Sequence, residues 1–232
     1  MTAPPRQLLL DLPQRAARGR DDFLVTPSNQ AAVRLVDGWP QWPAYGAILL
    51  GPEGSGKSHL AQVWQARSQA VIVQAAALKV DGLDQFFAGS ALCVEDLQPG
   101  GFDERAMFHA LNLATQRQGH VLLSTRFDVG ALGIALPDLA SRLRALPVVS
   151  ILAPDDALLR GVLAKLFADR QISIDESILS FILLRMPRSL AAARALVAEI
   201  DRVAMVEKAE VSRVFVSRVM AQMTSPDLFT TP

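Results

Sequence analysis

The chain has 232 residues, half of them hydrophobic, with 23 basic residues balanced by 23 acidic ones. That length can bury a sizeable core in one large domain, or in a medium domain with a small appendage, and the even charge gives no global mark of a nucleic-acid binder. No apolar run approaches the ~20 residues that span a bilayer, Leu8-Leu9-Leu10 is cut short by Asp11 before it can serve as a secretory signal, and a single cysteine, Cys93, excludes an internal disulfide framework; a cytoplasmic protein without membrane association is expected.

Residues 1–20 hold four arginines and four prolines or glycines around one apolar patch, which predicts a flexible tail carrying a short linear motif. From residue 21 the pattern becomes globular. Short apolar runs at 47–50, 71–73, 92–94, 121–123 and 148–151 read as five buried parallel strands. Between them, residues 57–69 and 103–118 have helical spacing, the second with Asp103 as N-cap and Gly119 as terminator. Strands alternating with helices imply an α/β fold with a five-stranded parallel sheet flanked by helices. After Pro154 the strands stop, and 155–170, 175–186, 189–208 and 212–223 read as amphipathic helices, with Pro187 separating two of them. The expected organisation is a tail at 1–20, an α/β subdomain at 21–153, an all-α lid at 154–223 and a loose tail at 224–232. Trp39, Trp42 and Tyr45, clustered before the first strand, are read as packing, and Cys93 as a small buried apolar residue. His109 and His120 have no metal-ligand partner at useful spacing.

The segment Gly51-Pro52-Glu53-Gly54-Ser55-Gly56-Lys57-Ser58 is a P-loop in the right setting, with a strand before it and a helix after it. Pro52, Gly54, Ser55 and Gly56 curl the backbone so that successive N–H groups can face phosphate oxygens, and the helix beginning at Lys57 aims its positive end at the same place. Lys57 is expected on the β- and γ-phosphates and Ser58 on Mg²⁺. His59 either helps form this pocket or packs. At the end of the third strand, Glu95 and Asp96 are candidates to orient Mg²⁺, Glu95 indirectly through water, and to position an attacking water. At the end of the fourth, Ser124-Thr125 supplies a hydroxyl, assigned to Thr125, that either senses the γ-phosphate or the lytic water or bonds its local backbone.

These residues resemble the AAA+ ATPases and, among them, the clade of the replication initiator DnaA. Gly51–Leu60 is similar to that clade's loop, including the His-Leu after Ser58. Ser28-Asn29-Gln30-Ala31, following Asp22-Phe23, resembles its opening motif, and Leu122-Leu123-Ser124-Thr125-Arg126 its sensor 1 segment. Asp138-Leu139-Ala140-Ser141-Arg142-Leu143 is similar to the segment that bears its arginine finger, and Pro187-Arg188-Ser189-Leu190 to its sensor 2. The resemblance implies that Arg188 reaches the bound phosphates from the lid. It also implies that Arg142 acts in trans on a neighbouring molecule's nucleotide, a position for which Arg126 and Arg144 are nearby competitors.

Two departures from the initiator stand out. The chain ends after the lid, where the initiator continues into a DNA-binding helix-turn-helix, so no direct DNA-binding domain is expected. Near the start, Gln7-Leu8-Leu9-Leu10-Asp11-Leu12-Pro13 resembles a sliding-clamp-binding peptide, with Gln7 for directional hydrogen bonds, Leu8, Leu10 and Leu12 as apolar anchors and Pro13 closing it; Asp227-Leu228-Phe229 is a weaker match. Together they resemble the clade's clamp-dependent negative regulators of initiation. That resemblance implies two partners, the DnaA initiator and the β-subunit clamp of DNA polymerase III, with a homodimer as a further contact. AAA+ ATPases usually place Asp first and Glu or Asp next; here Glu95 comes before Asp96, which displaces both groups and predicts weak or no intrinsic ATPase, and the resemblance implies ADP as the working ligand, with ATP as the alternative. An autonomous ATPase, such as a helicase loader or a DNA-remodelling helper, is the competing expectation; a P-loop small-molecule kinase fits poorly.

Overall fold

The computed structural model describes residues 24–86 and 91–224. The clamp-like motif with Gln7, Leu8, Leu10, Leu12 and Pro13, the Asp22-Phe23 pair and Asp227-Leu228-Phe229 lie outside the described residues.

The five strands form one parallel sheet: β1 (Gly46–Leu50), β2 (Val71–Gln74), β3 (Ala91–Leu97), β4 (His120–Thr125) and β5 (Val148–Ser150), in the spatial order β2-β3-β4-β1-β5. Leu50 lies opposite both Thr125 and Ser150, so the carboxyl ends of β1, β4 and β5 are level. Side chains alternate across the sheet, as strand geometry requires. Ile48, Leu92, Val94, Val121 and Leu123 face one layer, which contains α3 (Leu83–Phe86), α4 (Glu104–Gln116) and α5 (Pro137–Ala145). Ala47, Leu49, Cys93 and Leu122 face the other, which contains α1 (Gln30–Asp37) and α2 (Lys57–Ser68). Burial on both faces is why β1, β3 and β4 read as continuous apolar runs, while the edge strands β2 and β5 are only partly buried. Trp64, fully buried in the α1–α2 layer, stacks on Trp42 at 5.4 Å between centroids and meets the edge of Trp39 at 6.2 Å.

The starts of α1 and α5 are both held by something other than a side-chain bond from the N-cap residue. The N-cap of α1, Asn29, makes no capping bond; its Oδ1 accepts from Thr26 N (3.0 Å) and its amide donates to Leu24 O (2.9 Å). The N-cap of α5 is Leu136, and the acceptor for its N–H comes from another helix: the Glu104 carboxylate accepts from Ala135 N (2.9 Å) and Leu136 N (2.7 Å). By contrast, Asp103 caps α4 locally, accepting from Arg105 N and Ala106 N, a contact worth about 1 kcal/mol.

The last four helices, α6 (Asp156–Ala168), α7 (Glu176–Leu183), α8 (Leu190–Glu207) and α9 (Arg213–Thr224), pack around a core of their own that includes Leu163, Phe167, Ile182, Val197 and Val216. Asp155 caps α6 and Ser189 caps α8. Among the described residues, no helix is long and apolar enough to cross a membrane.

Candidate nucleotide-binding cleft

A cleft of about 340 Å³ opens at the carboxyl ends of the strands, where an open parallel sheet collects its ligands. One wall is the P-loop. Gly54 and Gly56 have φ of 73° and 103°, a region that penalises any side chain, and Gly56 is the N-cap of α2. Gly54, Gly56, Lys57, Ser58 and His59 all line the cleft. Ser55 lies beneath it, 1% exposed, and its Oγ has no hydrogen-bond partner. Pro52 contributes its carbonyl: Lys57 Nζ donates to Gly51 O and Pro52 O, each at 2.7 Å. Burial, then the neighbouring Arg126 charge, hold the Lys57 pKa below that of an ordinary lysine, while Asp96, Glu53 and Glu95 pull it up.

The floor comes from the strand ends. Glu95 is 9% exposed, with Oε2 at 3.5 Å from the Gln74 amide and Oε1 without a hydrogen-bond partner. Alternation puts Glu95 on the α2 side of the sheet with Cys93, and would turn Asp96 away. A register shift between Val94 and Leu97, with Asp96 at φ 58°, brings Asp96 back to the cleft as well. Its Oδ2 accepts from Gln98 Nε2 (2.5 Å), and Oδ1 lies 3.5 Å from Arg126 Nε.

Thr125 is not the strand-end hydroxyl in the cleft. It is 1% exposed, and its Oγ1 donates to Leu97 O (2.8 Å) and accepts from Phe127 N (3.0 Å). Ser124 lines the cleft instead, with its Oγ accepting from Asp96 N (3.1 Å). The alternation of β4 carries the signal: Val121 and Leu123 face the α4–α5 layer and Leu122 the α1–α2 layer, so Ser124 falls on the P-loop side.

The far wall is the start of α8. Leu190 N donates to Gly54 O (3.0 Å), and Leu190, Ala191 and Arg194 line the cleft. Arg194 Nη2 lies 2.8 Å from His59 Nδ1, joining lid and P-loop helix. Arg188, expected on the phosphates, points elsewhere. It forms an exposed ion pair with Asp156 in the first turn of α6 (2.8 Å) and does not line the cleft. It lies just before the N-cap Ser189, whereas Arg194 lies further along the helix face that meets the P-loop. Glu53, Gln74, Arg126, Leu190, Ala191 and Arg194 are therefore the lining residues that the expected site lacked.

Arg142 stands apart from this cleft, on α5, with its guanidinium 5.2 Å from the centre of the Phe108 ring of α4. α4 thus supplies both the Glu104 carboxylate that fastens the start of α5 and the aromatic face under Arg142. Among the described residues, Arg142 makes no ion pair.

No family model matches the chain, and no curated protein does. Among solved structures, domain III of the Thermotoga maritima replication initiation protein DnaA superimposes with a TM-score of 0.72 at 17% identity, covering 90% of this chain and 98% of that one. The AMPPCP-bound DnaA of Aquifex aeolicus gives 0.67 at 16% identity, over 88% of this chain and 68% of that one. The Thermotoga maritima RuvB Holliday junction branch migration motor gives 0.66 at 16% identity, over 86% and 69%. The chain has the AAA+ P-loop fold. Identities this low establish the architecture alone, and the sheet with its flanking helices is the one expected from the sequence.

Proposed function

We propose that the chain is a nucleotide-controlled regulator of replication initiation. With ADP in its own cleft, it presents Arg142 to the P-loop of a neighbouring DnaA molecule and stimulates hydrolysis of the ATP bound there. In this reading residues 7–13 tether it to the sliding clamp of DNA polymerase III, as in Hda, the clamp-dependent DnaA homologue that the sequence resembles. The supporting observation is the placement of Arg142: an arginine outside its own cleft, held on an aromatic face and free of carboxylates among the described residues. A guanidinium so placed can meet the charge that spreads over a γ-phosphate during transfer, a contribution of roughly 10³–10⁵ in rate.

The chain's own residues fit a nucleotide. The backbone at Gly54, Ser55 and Gly56, with Lys57, would cradle the phosphates, and His59 and Arg194 would flank them. Ser58 and, through water, Glu95 would hold Mg²⁺, which would supply neutralising charge beside the phosphates; the buried, unpartnered Glu95 Oε1 fits that role. Asp96, engaged by Gln98 and Arg126, is poorly available to activate water, which supports weak intrinsic turnover. A homodimer would bring Arg142 to the cleft of a second copy in the same way.

The deciding experiment measures DnaA ATPase with and without this protein, ADP and DNA-loaded clamp. Arg142→Ala is expected to lose roughly 10³-fold of the stimulation while nucleotide and clamp binding persist; undiminished stimulation sinks the reading. The orphaned Glu95 Oε1 also favours a second reading, an autonomous AAA+ ATPase such as a helicase loader or DNA-remodelling helper. Brisk turnover by the isolated protein, abolished in Lys57→Ala, would establish it.

A further inference from the structure

Among the described residues of the cleft, Arg126 is held between the P-loop and the strand-end carboxylate of Asp96. Its Nη1 is 3.0 Å from Glu53 Oε2 at the tip of the P-loop, and its Nε is 3.5 Å from Asp96 Oδ1 on β3. The preceding residue anchors its backbone to the same loop, since Gly51 N donates to Thr125 O (3.1 Å). Arg126 and Lys57 therefore line one small cleft, close enough for the Arg126 charge to weigh on the ammonium. Two cations converging on one cavity suit a polyanion better than either suits a single carboxylate.

The contacts Arg126 makes are also weak ones. Glu53 is 85% exposed and the Asp96 side chain 44% exposed, so both pairs are screened by water and contribute little. They use only part of a five-donor fork that matches a phosphate group bidentately.

We propose that Arg126 is a specificity-determining residue that distinguishes a nucleoside triphosphate from a diphosphate in cis, by exchanging its ion pair with Glu53 for the terminal phosphate. This rests on the nucleotide-binding reading above. With a diphosphate, Arg126 stays on Glu53 and Asp96. With a triphosphate, the added charge draws the guanidinium inward and releases Glu53 at the exposed loop tip. Removing Arg126 has two consequences of the same sign: a phosphate contact is lost, and Glu53 and Asp96 are left to repel the added charge.

The test is the ratio of affinities for a non-hydrolysable ATP analogue and for ADP, each with Mg²⁺, by titration calorimetry on the full chain. Arg126→Ala is expected to lower the analogue-to-ADP preference about tenfold, the loss of one charge-assisted contact. Glu53→Gln frees the guanidinium and is expected to raise that preference about threefold. A merely structural ion pair would move both variants in the same direction. An unchanged ratio in both variants, or equal losses for both nucleotides, overturns the inference and leaves the nucleotide reading standing; absence of binding by the unmutated protein overturns both. Should Arg126→Ala fail to fold, Glu53→Gln decides alone, because the charge it removes is exposed.

Discussion

On the P-loop side of the cleft, the placing contacts run over a few residues. Lys57 turns back onto the carbonyls of Gly51 and Pro52, and Gly54 and Gly56 set the curl. On the α8 side, one hydrogen bond from Leu190 to Gly54 and the Arg194–His59 contact join residues far apart in the chain, 135 positions in the second case. The first wall is written by local backbone demands and the second by docking. A motif can specify the former; the latter depends on how two cores, each closed on its own, are set against one another.

Substitutions separate the two walls. The largest effect is expected at Gly54, where they touch. An added Cβ would lie 2.1 Å from Ser189 Oγ and 3.3 Å from Ser189 Cα, at a φ of 73°. Strain and collision together predict a loss of about 2–4 kcal/mol in Gly54→Ala, read as a lowered urea midpoint. Gly133 provides the control, with φ 65° and open space around its Cβ position, so Gly133→Ala should show the backbone strain of about 1 kcal/mol without the collision. Equal losses in the two variants would mean that α8 does not press on the loop. Next comes Lys57→Ala, which removes the ammonium together with its bonds to the Gly51 and Pro52 carbonyls. Nucleotide affinity should fall roughly 10- to 100-fold, against a loss of only about 1 kcal/mol in unfolding, and an unaltered dissociation constant would remove the phosphates from this cleft.

The same contrast explains how far the sequence could be read. The three central strands, β1, β3 and β4, were legible because burial on both faces demands continuous apolar runs, and the P-loop because its glycines answer a backbone requirement; the edge strands β2 and β5 are only partly buried and carry shorter runs. Glu95 and Asp96 are marked by their place at a strand end, but the bulge that brings Asp96 to the cleft beside Glu95 has no local spelling. The alternation of Val121, Leu122 and Leu123 assigns the faces of β4 and puts Ser124, rather than Thr125, on the cleft side. α1 and α5 carry local cues in Asn29 and Pro137, but Asn29 spends its side chain on the preceding turn and α5 takes its capping carboxylate from Glu104 on another helix, and the four-residue α3 is too short to show a period. Arg142 was singled out by resemblance to a motif, and its platform on Phe108 came only with the packing of α4 against α5.

The smallest effects lie on the lid and test the docking itself. Arg188 carries the motif and Arg194 occupies the cleft. If α8 meets the nucleotide in the arrangement described, Arg194→Ala should weaken nucleotide binding about tenfold, as loss of a partly solvated cation beside phosphate does. Arg188→Ala should change it by less than about twofold, since it removes only an exposed pair with Asp156. The reverse ranking would show that binding rotates the helical group, breaking the Arg188–Asp156 pair to bring Arg188 over the phosphates. Asp156→Asn then separates the cases: it should strengthen binding if Arg188 must leave that pair to reach the nucleotide, and leave it unaltered if Arg194 is the lid's contact.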